Sequence, residues 1–197
     1  MRYDAEHKQK TREMVLKEAS RAIRAEGPDR VAVAGIMAKV GLTHGGFYAH
    51  FASKDDLIAQ AIEQMFEDGR RRLAKSTEGL SPTEGLTAYI DFYLSPAHRD
   101  SRAMGCPLAA LSADLPRMPD PAREAFGRGV ASLAGRLADR LSAAGLGDAE
   151  ALASSVLSEL VGALSLARAV ADPAQSDAFL DRSRAALKRR LGLESRP

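Results

Sequence analysis

At 197 residues the chain suits one domain of ordinary size, or a small domain joined to a medium one. Its hydrophobic fraction of 45% is enough for a core, and the Ala, Leu, Arg and Glu flavour favours helices, while a single cysteine, Cys106, excludes an internal disulfide framework and any cysteine-based zinc site. The net charge of +2 is unevenly spread: residues 1–54 carry ten Lys/Arg against six Asp/Glu and three of the four histidines (His7, His44, His50), so a basic segment precedes a mildly acidic body and points to a polyanion partner.

The opening MRYDAEHKQKTRE is too polar for a signal peptide, and no window approaches the roughly 18 apolar residues that span a membrane, so a soluble, cytoplasmic protein is expected. The first periodic segment predicts a helix over about residues 8–26, with Val15, Ala19, Ala22 and Ile23 on one face and Arg12, Lys17, Arg21 and Arg24 off it. Gly27–Pro28 stops it. A short second helix follows over about 33–40, ended by Gly41. Thr43 is placed to cap a very short third helix over about 43–50, and Ser53 with Asp56 forms a capping box for a fourth that continues toward residue 72.

Beyond the linker KSTEGLSPTEG, Ser81, Pro82 and Glu84 open a fifth helix carrying Tyr89, Phe92 and Tyr93. Cys106–Pro107 stands at the apparent start of another, and LPRMPDP is a rigid break. Asp120–Pro121 opens a long helix to about residue 144, and GLGD separates it from an eighth over about 149–171. Asp172–Pro173 starts the last, ending near residue 191. The expected fold is all-α, with about nine helices in two parts.

The stretch GLTHGGFYAHF carries the sharpest signal. Paired glycines each cost a helix roughly 1 kcal/mol against alanine, so something must offset Gly45 and Gly46. Phe47 and Phe51, four apart, are spaced to pack onto the first two helices through Ile23, Ile36 and Val40, which turns Tyr48 and His50 away from that small core. Three short helices with a glycine-bearing turn match a helix-turn-helix, whose last helix enters the major groove. A bare glycine there lets backbone approach phosphates or base edges. A P-loop is disfavoured, since no strand precedes the glycines and no Lys-Ser pair follows at the right spacing; His44 and His50 are six apart, wrong for a shared metal. No cofactor or metal site is expected.

The run GPDRVAVAGIMAKVGLTHGGFYAHFASKDDLIAQAI resembles the N-terminal DNA-binding domain of the TetR (TetR/AcrR) family of transcriptional regulators. Ile36, Val40–Gly41–Leu42–Thr43, Gly45, Phe47–Tyr48, His50–Phe51, Lys54 and Leu57 carry the resemblance over about 50 residues. It implies a helix-turn-helix DNA-binding domain over 1–54, a linking helix over 54–72, and a ligand-binding and dimerisation domain over 73–197. It also implies a homodimer on a double-stranded, palindromic DNA operator, acting as a repressor that a small-molecule or electrophile effector releases. By position, Thr43 would cap the reading helix and touch a phosphate, and His44 would stand at its tip. Gly45 would present backbone, Tyr48 and His50 would hold phosphates, and Lys54 would reach the DNA backbone. Two departures stand out: Val31 and Ala32 lack the Ser/Thr cap of the second helix, and Gly46 replaces a small hydroxyl residue, so base reading leans on His44, Ala49 and DNA shape.

In the second half, Val156, Leu157, Leu160, Leu164 and Ala167 form an apolar stripe, and Phe179, Leu180, Ser183 and Leu187 repeat at helical spacing. These two helices are the expected four-helix dimer interface. Tyr89, Phe92, Tyr93, Met104, Cys106, Leu111 and Phe126 are the expected ligand lining. Helical amides near Cys106 would lower its pKa, and the segment MGCPLAALSADL resembles the Gly-Cys segment of TetR-type regulators that sense electrophiles or oxidants. The rival expectation is a helical small-molecule-binding or cysteine redox-sensor protein without DNA activity. An enzyme is not expected, because no nucleophile–base pair or paired carboxylates stand at useful spacing.

Overall fold

The chain's computed structural model describes residues 2–194, and among these the secondary structure is entirely helical: nine α-helices and three 3-10 helices. Helix α1 (Arg2–Glu26) extends well before its apolar stripe, because strong helix formers carry it, among them Gln9 bonded to Glu13 one turn on at 2.8 Å. Helix α2 (Val33–Lys39) starts at Ala32 with no side-chain cap. It ends in a Schellman motif: Gly41 takes φ +75°, its N–H donates to Ala38 O at 3.0 Å, and Leu42 N–H reaches Met37 O at 2.9 Å.

The third predicted helix is a 3-10 helix, His44–Ala49, rather than an α-helix. Six residues with two glycines cannot sustain α-helical propagation, and the tighter turn suffices to carry Phe47 and Phe51 to one side. Helix α3 (Lys54–Ser76) is capped by the Ser53 hydroxyl accepting from Asp56 N–H at 3.0 Å, and runs beyond the predicted residue 72. Helix α4 (Pro82–Tyr93) has the full predicted capping box between Ser81 and Glu84. Then come α5 (Pro96–Asp100), which the sequence did not announce, a 3-10 turn Arg102–Met104, α6 (Pro107–Leu111) and a 3-10 turn Leu115–Arg117. The long helices α7 (Asp120–Ala143), α8 (Ala149–Ala169) and α9 (Pro173–Arg190) complete the chain.

Two apolar clusters organise these helices. The first joins α1, α2, the 3-10 helix and the first half of α3 around Ile23, Met37, Phe47, Phe51 and Leu57, and draws in Leu111, Leu115, Ala122 and Ala125 from the second half of the chain. The second joins α4, α7, α8 and α9 around Leu86, Ile90, Leu141, Leu160 and Leu164. Phe66 and Phe126 touch both clusters, their rings edge-to-face at 5.7 Å. The head is thus bedded on the body, with α3 running through both.

The expected dimer stripe needs correction. Val156, Leu157, Leu160, Leu164, Ala167, Leu180 and Leu187 are all buried within one chain, in the second cluster. An apolar stripe on an amphipathic helix first satisfies its own core. The outer sides of α8 and α9 expose Leu166 (51%) and Phe179 (38%) instead, alongside Ser155 and Ser158; Ser183 is half-buried. Helix α8 is also long and apolar enough, by length and composition, to cross a membrane, contrary to the expectation that no segment is. Here its apolar side is spent on the core.

Candidate functional site

The 3-10 helix is a thin rod held from behind. Phe47 (1% exposed) and Phe51 (2%) stack at 5.5 Å against the first cluster. Burial of each ring is worth about 3 kcal/mol, which outweighs the roughly 2 kcal/mol of helix propensity lost to two glycines. Gly46 N–H donates to Thr43 O at 3.1 Å and His50 N–H to Phe47 O at 2.9 Å, so the backbone is closed at both ends. Thr43 occupies the cap position, yet its hydroxyl makes no cap bond and stays exposed, contrary to its expected capping role.

The outer side carries Thr43, His44, Gly45, Tyr48 and Ala49, all exposed, with Tyr48 at 66%. Tyr48 leans on Phe47 at 5.2 Å and on His44 at 6.2 Å, which fixes its ring without covering it. Neither glycine is needed by the fold: both have negative φ, a Cβ on Gly45 would meet nothing within 4 Å, and one on Gly46 would make only ordinary contacts with Thr43 and Met37. Lys54 stands half-buried at the start of α3.

His50 is half-buried, with Nδ1 enclosed and lacking a hydrogen-bond partner, so only its outer edge is free to meet a ligand. Burial, then the charges of Lys8 and Arg12, hold its pKa below the usual histidine value. Arg12 was not singled out by sequence. Its guanidinium lies 5.3 Å from the Phe51 ring centroid and bonds Gln60, tying the basic start of α1 to the anchor of the 3-10 helix. Its signal was present as a cation one turn before Val15 and Leu16, but sequence spacing does not reveal a partner 39 residues away.

In the body, a cavity of about 640 Å³ opens between α3, α4, α7 and the segment 104–107. Tyr89, Phe92, Tyr93, Met104 and Cys106 line it; Phe92 and Met104 are also exposed. Leu111 and Phe126 do not line it: Leu111 is fully buried in the head cluster, and Phe126 packs on Phe66. Sequence reading missed Phe66, Arg72 and Leu73 in this wall because the second half of α3 was taken only as a linker, and missed His98 of the unforeseen α5 and Arg140 of α7 because their spacing does not tell which element they face. Gly129 is part of the wall too, and an added Cβ would fall 2.2 Å from the Phe66 ring, so any side chain there would displace that ring.

The Cys106 thiol pKa is shifted up, opposite to the expected direction. Burial raises its thiol pKa, and the Tyr93 hydroxyl with the Leu108 and Ala109 amides only partly opposes this. Its backbone N–H donates to His98 Nε2 at 3.1 Å, and His98 Nδ1–H donates to Tyr93 O at 2.8 Å. On the head side of the cavity, Arg24 Nε of α1 donates to Ala103 O at 2.8 Å, one residue before Met104.

Comparison with known proteins adds lineage to this geometry. Residues 15–61 match the family described as "Bacterial regulatory proteins, tetR family", and residues 82–182 match "Transcriptional regulator LmrA/YxaF-like, C-terminal domain". An uncharacterized HTH-type transcriptional regulator, YfiR of Bacillus subtilis (strain 168), is 28% identical over 86 residues, covering 44% of this chain and 42% of that protein. The probable HTH-type transcriptional regulator ArpR of Pseudomonas putida is 31% identical over 84 residues, 42% and 40% respectively. The chain thus spans about two fifths of the length of the curated relatives it matches. Among solved structures, a regulator from Chloroflexus aurantiacus J-10-FL superposes with a TM-score of 0.81 at 25% identity, covering 95% of this chain and 96% of that one. One from Agrobacterium tumefaciens gives 0.77 at 26%, covering 92% and 98%. The reduced form of E. coli NemR gives 0.79 at 20%, covering 91% and 96%, a likeness of fold.

Proposed function

The chain belongs to the TetR family of bacterial regulatory proteins, DNA-binding transcriptional regulators, and we propose that it is a ligand-responsive repressor binding a palindromic operator as a homodimer. One observation carries this reading: an exposed, glycine-bearing rod whose glycines nothing inside the protein needs, held outward by two buried phenylalanines. Bare backbone favoured by neither φ nor internal packing fits a surface that an outside partner must approach closely. His44, Ala49 and the Gly45 backbone would read bases, while Thr43, Tyr48, His50 and Lys54 would hold phosphates.

One such rod contacts too few base pairs for selectivity, so two copies on a two-fold operator follow physically. The exposed sides of α8 and α9, around Leu166 and Phe179, are the self-complementary face for that dimer. Release by a ligand in the cavity has two mechanical routes. Helix α3 carries Lys54 at one end and cavity residues from Met65 onward at the other, and Arg24 ties α1 to the turn beside Met104. The raised thiol pKa of Cys106 gives the rival redox-sensor reading no support. A bacterial regulator of this kind works in the cytoplasm, with DNA.

Selection of duplexes from a random pool tests the reading. The parent should enrich a short palindrome whose binding weakens steeply with salt. Tyr48→Ala and Lys54→Ala should weaken binding to every enriched sequence while leaving the melting temperature unchanged; parent-like binding by both would remove the assigned surface.

A further inference from the structure

The cavity wall carries more positive charge than its neighbours answer. Asp139 is its sole acidic residue among those described, against four arginines. Three of the four have a partner or solvent: Arg70 pairs with Glu67, Arg136 is exposed to solvent, and Arg140 Nη2 donates to the Thr77 hydroxyl at 2.8 Å, which holds the side chain without neutralising it. Arg72 is half-buried and makes no hydrogen bond or ion pair among the described residues.

A second, more deeply buried cation is electrostatically coupled to it. Arg24 is only 4% exposed, and its Nη1 is buried without a hydrogen-bond partner. Burial and then the charge of Arg72 press its pKa down to about 10, with Asp68 partly opposing, so the two guanidiniums repel each other. The nearby carboxylate, Asp68, is engaged by Gln64 at 2.9 Å and Arg71 at 2.7 Å. Elsewhere in the body Arg99 and Lys188 meet direct counter-charges, Asp177 and Asp91, each at 2.6 Å, and Arg168 is held by the carbonyls of His98 and Arg99 at 3.1 Å, whereas Arg72 has neither kind of partner among the described residues. Two cations left to repel each other beside an apolar cavity are unfavourable unless an anion joins them.

Resting on the reading that this cavity holds the effector, we propose that it takes an amphipathic organic anion, the carboxylate seated against Arg72 and the apolar body lying along Leu73, Tyr89 and Tyr93. The volume fits, since small-molecule pockets run from roughly 300 to 1,000 Å³. The carboxylate relieves the repulsion on Arg24, which belongs to the head helix and holds the Ala103 carbonyl; the anion is therefore felt directly by α1.

Calorimetric titration of the full chain with naphthoate, phenylbutyrate and decanoate, each beside its primary amide, tests the site. At least one acid should bind about ten- to a hundredfold more tightly than its amide. Arg72→Met should abolish that preference while leaving amide binding intact, and Arg72→Lys should keep part of it. Amides binding as tightly as acids, a preference unchanged in Arg72→Met, or no binding by any of the acids would overturn the proposal. Release of the selected duplex is read in the same titrations. An acid that binds through Arg72 without releasing DNA keeps the anion site and defeats the ligand-responsive reading. Amides that release DNA as well as acids do the opposite.

Discussion

His98 and Cys106 are locked in one hydrogen-bonding sense. The Cys106 amide can only donate and the Tyr93 carbonyl can only accept, so the imidazole between them is neutral, protonated on Nδ1 and accepting on Nε2. Protonation of Nε2 would break the bond to Cys106 and strand that amide in the cavity wall.

Acid should therefore loosen the body. Burial, with Arg168 and Arg72 nearby, lowers the His98 pKa despite the Tyr93 carbonyl, and burial lowers that of His50 as well. Both groups bind protons more readily when unfolded, so their contribution is fully present above the ordinary histidine value of about 6.5 and is lost as pH falls below it toward the folded values. Chemical denaturation should show stability dropping between pH 7 and 5. His98→Gln should flatten that slope while lowering stability at pH 7.5 by about 1–3 kcal/mol, because buried partners lose their bonds. An unchanged slope would mean that the ring is not held as described.

Gly129→Ala should destabilise although alanine favours helices. The Phe66 ring would have to leave its site, at a cost of about 1–3 kcal/mol, against a propensity gain of about 1 kcal/mol. A net fall in melting temperature of a few degrees is expected, and less of one in a Phe66→Leu background. Gly127→Ala and Gly135→Ala, with nothing within 4 Å of the added carbon, should be neutral or stabilising.

Association should map to the outer face of α8 and α9. Leu166→Glu with Phe179→Glu should shift sedimentation toward monomer and weaken operator binding at least tenfold, with little change in the fold, because both side chains are exposed. Leu160→Ala should instead cost about 2–5 kcal/mol of stability, as a core truncation does. Sedimentation unchanged in the double variant would move the interface elsewhere.

These contrasts also mark what the sequence could disclose. Caps at Ser53 and Ser81 were legible because their hydrogen bonds close within three residues. The Phe47–Phe51 anchor was legible because its spacing is local and the small core it joins has few alternatives. The stripe from Val156 to Ala167 announced burial but not its partner, since core and interface ask for the same residues. The wall formed by Arg72 and Gly129, and the link from Arg24 to Ala103, join positions far apart in the chain and leave no periodic trace.

The bare flank of the 3-10 helix is tested most directly by Gly45→Leu. Its Cβ points into open space, so the variant should melt at or above the parent's temperature. Fluorescence anisotropy on the duplex selected by the parent should then show affinity about tenfold or more weaker, because the new side chain holds the backbone away from the groove. Parent-like affinity in an equally stable variant would mean that DNA is not met by this surface.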